Sequence, residues 1–296
     1  MYEIDEGGKK EISVVSSALL SSFEERAMND TSPRDYTLLD RPEILSVLFH
    51  PRPEIRYGLS GQSGKDLLIP VEDRVSVAAR FHHLDVDGPT ILFFHGNGEI
   101  VADYDDIGPL FGSTGVNFCA VDYRGYGLST GHPTVSAMMS DAHVVLDYMT
   151  AWLEVQGYRG PLVVMGRSLG SAPAIELASS RTGKLAGLIV ESGFARTMPL
   201  LRLIGADPQG LGLSEDNGCG NLDKIGSADL PTLIIHARND FIIPVSDGEA
   251  LLEASAARNK RLVVIPGADH NSIFMVGFAL YMGALRTFIE SIKGRP

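Results

Sequence analysis

The sequence predicts an α/β fold: a mainly parallel, twisted sheet with helices on both faces. Two observations carry this. Apolar β-type runs at residues 90–94, 118–122, 162–165, 188–190, 233–235 and 262–265 alternate with helical stretches such as 135–155 and 245–257. Such alternation means βαβ units, and strands that are apolar throughout are strands buried on both faces. The second observation is local. Gly166-Arg167-Ser168-Leu169-Gly170 follows the apolar run 161–165 and leads into Ala172-Pro173-Ala174-Ile175. That is a strand, a sharp glycine-flanked turn and a helix, with a serine at the apex, the geometry of a nucleophile.

The elements follow in order along the chain. Residues 1 to about 37 are rich in serine and acidic residues and read as a peripheral helix with a loose tail. Asp40-Arg41-Pro42-Glu43 resembles a capping box with proline in the first turn, opening a short helix that His50-Pro51-Arg52-Pro53 stops. Residues 1–52 are therefore expected to form an N-terminal extension packed on a catalytic body, 53–296. Residues 67–71 and 75–79 read as two strands separated by polar Glu72-Asp73-Arg74, and the βαβ alternation begins after them. The weakly charged stretch 271–285 is too short to span a bilayer and reads as a packed terminal helix.

Composition narrows the function classes. The chain has 296 residues, 44% hydrophobic and 21% charged, which suits a globular protein with a large core. A formal charge of −12 argues against nucleic acid as a partner. Only two cysteines are present, Cys119 and Cys219, so no disulfide framework is expected, and Cys119 reads as a small residue in a buried strand. The first residues are acidic where a signal peptide would be basic, so a cytoplasmic location with no membrane span is expected. Asp103, Asp105 and Asp106 read as a helix start favourable to the dipole rather than a metal site, so neither metal nor cofactor is expected.

A serine hydroxyl needs a base beside it. Of eight histidines only His236 and His270 follow Ser168; His236 sits within a strand run and reads as structural, whereas His270 lies in a loop just past the last strand. The imidazole in turn needs an orienting carboxylate. Asp240 ends the run from Leu233 just beyond a strand, whereas Asp207, Asp216, Asp223 and Asp229 lie in a polar connection and read as solvated. Asp269 reads as turn chemistry. The oxyanion hole should use the Leu169 amide and a second amide from His95-Gly96-Asn97-Gly98, with Asn97 the first choice and Gly98 the second. A second G-x-S-x-G match, Gly127 to Gly131, has no strand before it and no helix after it, so Ser129 reads as loop or capping chemistry.

With these motifs in order, residues 60 to 296 resemble the α/β-hydrolase superfamily. The resemblance rests on His95-Gly96-Asn97-Gly98, the run Asp122-Tyr123-Arg124-Gly125-Tyr126-Gly127-Leu128-Ser129, the Ser168 elbow, the Arg238-Asn239-Asp240 turn and the Asp269-His270 turn. It implies the triad Ser168, Asp240 and His270, and a lightly lidded serine hydrolase branch of esterases and relatives that deacylate protein cysteines. The deacylating relatives carry an N-terminal cysteine cluster that this chain lacks. Serine at the elbow separates the chain from the dehalogenase and epoxide-hydrolase relatives, which carry aspartate there. The lid implied by the resemblance spans about 195–230, small and mobile, with an apolar cluster at Leu200-Leu201-Arg202-Leu203-Ile204 that either walls the pocket or packs the lid onto the body. The expected substrate is a small molecule or acyl group carried as an ester or thioester. A peptidase or amidase on the same triad, and a non-catalytic binding module, are the alternatives.

Overall fold

The computed structural model describes residues 34–55 and 64–293, together with the backbone of 3–4 and 10–11. Of the stretch 1–37 expected as a peripheral helix with a loose tail, only 3–4, 10–11 and 34–37 are described, and 3–4 and 10–11 are strands instead, paired with each other. The strands are β1 (Glu3–Ile4), β2 (Lys10–Glu11), β3 (Lys65–Glu72), β4 (Val75–His82), β5 (Thr90–Phe94), β6 (Asn117–Val121), β7 (Leu162–Arg167), β8 (Gly187–Glu191), β9 (Thr232–Ala237) and β10 (Lys260–Ile265). They form one 10-stranded sheet in the order β10-β9-β8-β7-β5-β6-β4-β3-β1-β2. From β10 to β6 every pairing is parallel; β4, β3, β1 and β2 continue the sheet antiparallel.

Why these runs are apolar throughout is visible in how they divide. Along β5, Ile91 and Phe93 join one hydrophobic cluster while Leu92 and Phe94 join the other, and Val163/Met165 against Leu162/Val164 repeat the division on β7. The side-chain period of two sends alternate residues to opposite faces, so both faces need apolar residues. The helices that supply the cover are α1 (Pro42–Leu48), α2 (Gly108–Gly112), α3 (Val135–Val155), α4 (Ser171–Ser180), α5 (Thr197–Leu203), α6 (Asn221–Ser227), α7 (Val245–Ala254) and α8 (Ile273–Ile292). At the start of α3, Thr134 caps the helix by accepting from the Ala137 amide at 3.0 Å. Tyr36, Leu39, Ile44, Leu48 and Phe49 share a core cluster with α3 and α4, so the described residues just ahead of β3 pack on the body of the sheet.

Several boundaries differ from expectation. The N-cap of α1 is Arg41, with no side-chain cap, and Pro42 opens the helix. The Asp40 carboxylate accepts instead from the Ser136 amide at 3.1 Å, a tertiary partner that a local capping rule does not see. Helix α7 ends at Ala254 rather than 257, where the Ser255 hydroxyl accepts from the Ala257 amide. The terminal helix is longer than 271–285. It runs 20 residues because Arg286 and Glu290 turn to the exposed side while Phe288, Ile289 and Ile292 continue the packed face. By length and composition it is apolar enough to cross a membrane, with 44% of its most apolar window buried against the protein. The lid is tied down. Glu215 accepts from the Thr197 and Met198 amides, Asn221 donates to the Phe194 carbonyl, and Arg34 and Arg41 donate to the Gly218 and Leu211 carbonyls. Of the apolar cluster, Leu201 is fully buried and Leu200 and Ile204 pack on the core, leaving Leu203 exposed. The cluster holds lid to body.

One feature of the topology positions the site. Strand β5 pairs with β6 on one side and with β7 on the other. The chain leaves β5 toward one edge and later returns to build the other, so the loops after β5 and β7 diverge and open a crevice at the carboxyl ends of these strands.

Candidate active site

Ser168 follows the last residue of β7 and takes φ +51°, a left-handed backbone that costs a non-glycine residue about 1–2 kcal/mol. The surroundings impose it. A Cβ at Gly166 would stand 2.1 Å from the Gly170 carbonyl oxygen, and one at Gly170 would stand 2.1 Å from the Phe94 carbonyl oxygen. Both contacts are with backbone, which cannot yield, so the two flanking positions admit only glycine. The strained turn leaves the serine half-buried ahead of α4.

The three residues singled out in the sequence meet at this point. His270 Nε2 lies 2.9 Å from Ser168 Oγ, and His270 Nδ1 lies 2.7 Å from Asp240 Oδ2. The carboxylate takes the Nδ1–H, leaving Nε2 as acceptor for the serine hydroxyl. Asp240 is itself fixed, its Oδ1 accepting from the Ile242 and Ile243 amides at 3.0 and 2.8 Å. Burial works to raise its carboxyl pKa, but the hydrogen bond and charge of His270 and the Ile243 amide outweigh it and hold the group below its ordinary value. The base turn is built by Asp269, whose Oδ1 accepts from the Asn271 and Ser272 amides and the Ser272 hydroxyl.

The remaining histidine and carboxylate candidates have other hydrogen-bond partners or face solvent, although His236 Nε2 lies 3.7 Å from Asp240 Oδ2. His236 is fully buried and donates from Nε2 to the Ile243 carbonyl at 2.8 Å; burial depresses its pKa. Asp207, Asp216, Asp223 and Asp229 are exposed. Ser129 Oγ accepts from the Ala78 amide at 2.8 Å, pinning its loop to β4. Of the acidic group near 103–106, Asp103 accepts from the Ile100 amide and Asp105 pairs with buried Arg80.

The loop after β5 is held from several sides. Tyr123 donates to the His95 carbonyl at 2.6 Å, and His95 Nδ1 donates to the Gly96 carbonyl. The Asn97 side chain accepts from the His50 amide and the Tyr126 hydroxyl, and its Nδ2 donates to His50 Nδ1 at 2.9 Å. Arg52 donates to the Gly98 carbonyl at 2.7 Å. The Asn97 amide has no acceptor among the described residues. Gly98, the second candidate donor of this loop, takes φ +77°.

Sequence reasoning missed two groups. In sequence His50 and Arg52 read only as a helix stop, yet they clamp the β5 loop. The second group is a buried cluster under the elbow. Arg167 donates from Nε to Glu99 Oε1 at 2.8 Å and from Nη1 to Glu191 Oε1 at 2.9 Å and the His270 carbonyl at 3.0 Å. Burial alone would raise the Glu99 carboxyl pKa, but the Arg167 charge and the Tyr104 hydroxyl hold it below the ordinary range. The available signal was a charged residue closing an otherwise apolar strand; its partners lie 68, 24 and 103 positions away.

The likenesses to known proteins agree with this architecture. A family model described as serine aminopeptidase, S33, matches residues 88–208. The α/β-hydrolase domain-containing protein WAV2 of Arabidopsis thaliana is 26% identical over 76% of this chain and 78% of its own length. An esterase of Pyrococcus furiosus, Pf2001, superimposes with a TM-score of 0.64 at 19% identity, covering 83% of this chain and 100% of that one. A monoglyceride lipase from Saccharomyces cerevisiae gives a TM-score of 0.63 at 15% identity over 81% of this chain and 99% of the other. Identities this low speak for shared architecture in the two solved structures, and the family model and the plant relative add likeness in sequence. With its serine elbow at the switch point of a mostly parallel sheet, the chain has the α/β-hydrolase fold.

Proposed function

We propose that this chain is a serine hydrolase that cleaves carboxylic ester or thioester bonds through an acyl-enzyme. The observation that carries the reading is the unbroken hydrogen-bond chain from Asp240 through His270 to Ser168, at 2.7 and 2.9 Å. In the first half-reaction Ser168 Oγ attacks the carbonyl carbon while its proton passes to His270 Nε2. Negative charge develops on the carbonyl oxygen, where the Leu169 and Asn97 amides would receive it. Collapse of the tetrahedral species breaks the bond to the alcohol or thiol, which leaves with the proton from Nε2, and the acyl group stays on Ser168. Water then attacks the acyl carbon, giving its proton to His270, and the carboxylic acid departs as Ser168 regains its hydrogen. Asp240 keeps the imidazole in the required tautomer and balances the imidazolium formed in each half.

The test compares two serines in matching sequence patterns. Ser168→Ala should abolish hydrolysis of p-nitrophenyl butyrate and labelling by a fluorophosphonate, with the circular dichroism spectrum unchanged. Ser129→Ala should keep both activities and lose about 1 kcal/mol of stability with its bond to the Ala78 amide. Full activity in Ser168→Ala would overturn the reading. The serine aminopeptidase description of the matching family model favours amides as a second reading on the same residues. Comparing kcat/KM for matched ester, thioester and aminoacyl-amide substrates decides between them.

A further inference from the structure

Resting on the assignment of Ser168 and His270 above, we propose that Arg167 is a positioning residue that locks the base loop to the oxyanion loop. Arg167 closes β7, immediately precedes Ser168 and is almost wholly buried. Its guanidinium reaches two further loops at once. From Nη1 it donates to the backbone carbonyl of His270 itself, at 3.0 Å. From Nε it donates to Glu99 Oε1 at 2.8 Å, and the other oxygen of Glu99 accepts from the Gly96 amide at 2.7 Å and the Tyr104 hydroxyl at 2.6 Å. Gly96 directly precedes Asn97. A third bond, to Glu191 Oε1 at 2.9 Å, anchors the guanidinium to the end of β8, and Glu191 Oε2 accepts from Tyr281 of α8 at 2.5 Å.

One rigid, planar cation thus ties the nucleophile's strand, the base's backbone and the oxyanion loop into a single unit. An apolar residue would fill the same volume without the cost of taking three charges out of water, and a buried ionic cluster is poor material for stability. What it supplies is geometry. Donor directions in a guanidinium are fixed relative to one another, so a displacement of the His270 loop is resisted by Glu99 and, through it, by the Gly96 amide. Lysine keeps the charge but is a point donor on a flexible stem, and it cannot hold Glu99, Glu191 and the His270 carbonyl in one plane.

The experiment uses the full chain and p-nitrophenyl butyrate. Arg167→Lys should lower kcat about 100-fold, the scale of a 1 Å misplacement of reacting groups, and leave KM within about twofold. Glu99→Gln has one carboxamide oxygen to serve both Arg167 and the Gly96 amide, so it should lower kcat about tenfold with the same KM. Because both substitutions cut the same link, the double variant should fall no more than about threefold below Arg167→Lys, whereas independent structural damage would multiply the losses. If Arg167→Lys does not fold, Glu99→Gln alone decides by the same split between kcat and KM. Wild-type kcat in the folded variants, or losses that appear in KM or multiply in the double variant, would overturn the proposal. Ser168→Ala is run alongside: its inactivity isolates such a failure to Arg167, whereas its activity would remove the underlying assignment instead.

Discussion

Asp240→Asn tests the hydrogen-bond chain at its least replaceable point. In the native protein Oδ1 accepts two backbone amides, from Ile242 and Ile243, and Oδ2 accepts from His270 Nδ1. A carboxamide has one oxygen and one NH2. The two amide donors demand the oxygen, so the NH2 must face His270 and donate to Nδ1. The imidazole is then driven to carry its proton on Nε2, the atom that must accept from Ser168 Oγ 2.9 Å away. General-base catalysis is lost while packing, volume and both backbone bonds survive. Loss of the correct tautomer is worth about 10⁴-fold in kcat, which is about 5 kcal/mol of transition-state stabilisation. Asp240→Ala is the informative companion. It leaves the ring free to choose its tautomer, so its kcat should be no lower than that of Asp240→Asn. It also strands two amides, one on buried Ile243, at about 1–3 kcal/mol each. Single-turnover hydrolysis of p-nitrophenyl esters reads the first effect and urea unfolding the second. A loss below tenfold in folded Asp240→Asn would refute the reasoning.

Three further outcomes are expected. Burial works to raise the Glu176 carboxyl pKa, but His143 and the Lys224 ammonium at 2.5 Å win and lower it to about 2 from 4.5. A depressed carboxyl stabilises the fold above its unfolded value, so about 3 kcal/mol should be present above pH 4.5 and lost as pH falls toward 2. Glu176→Gln should therefore differ from wild type in urea midpoint at pH 6 and converge with it on acidification; a gap independent of pH would contradict this. Gly170→Ala drives a methyl into the Phe94 carbonyl and should cost about 3 kcal/mol, which an unchanged unfolding midpoint would disprove. His50→Ala removes the acceptor for Asn97 Nδ2 while keeping the backbone bond, so kcat should fall roughly threefold to tenfold with KM steady. An unaltered kcat would show that the residues just ahead of β3 do not steady the β5 loop.

The sheet was legible because a strand buried on both faces must be apolar at every position, and the runs at 90–94 and 162–165 carry that requirement in the sequence itself. The elbow was legible for a similar reason: Gly166 and Gly170 are forced by contacts within a few residues of chain or with an adjacent strand. The order of serine, aspartate and histidine pointed to the three side chains that meet, because each lies just past a strand end and strand ends in a parallel sheet face one way. What local pattern could not decide was every contact made between distant segments. Asp40 looks like a helix cap until Ser136 claims it, and His50 looks like a helix stop until Asn97 folds against it. The terminal helix outruns its apolar stretch because Arg286 and Glu290 have a solvent side to occupy, a fact of packing and not of composition. Arg167 is the clearest case. A charge at the end of a buried strand is unfavourable on its own, and only tertiary structure brings Glu99, Glu191 and the His270 carbonyl to its three donor directions. Periodicity and sterics act over a few residues and leave their mark in sequence, whereas the pairing of buried polar groups is settled where the folded chain brings them together.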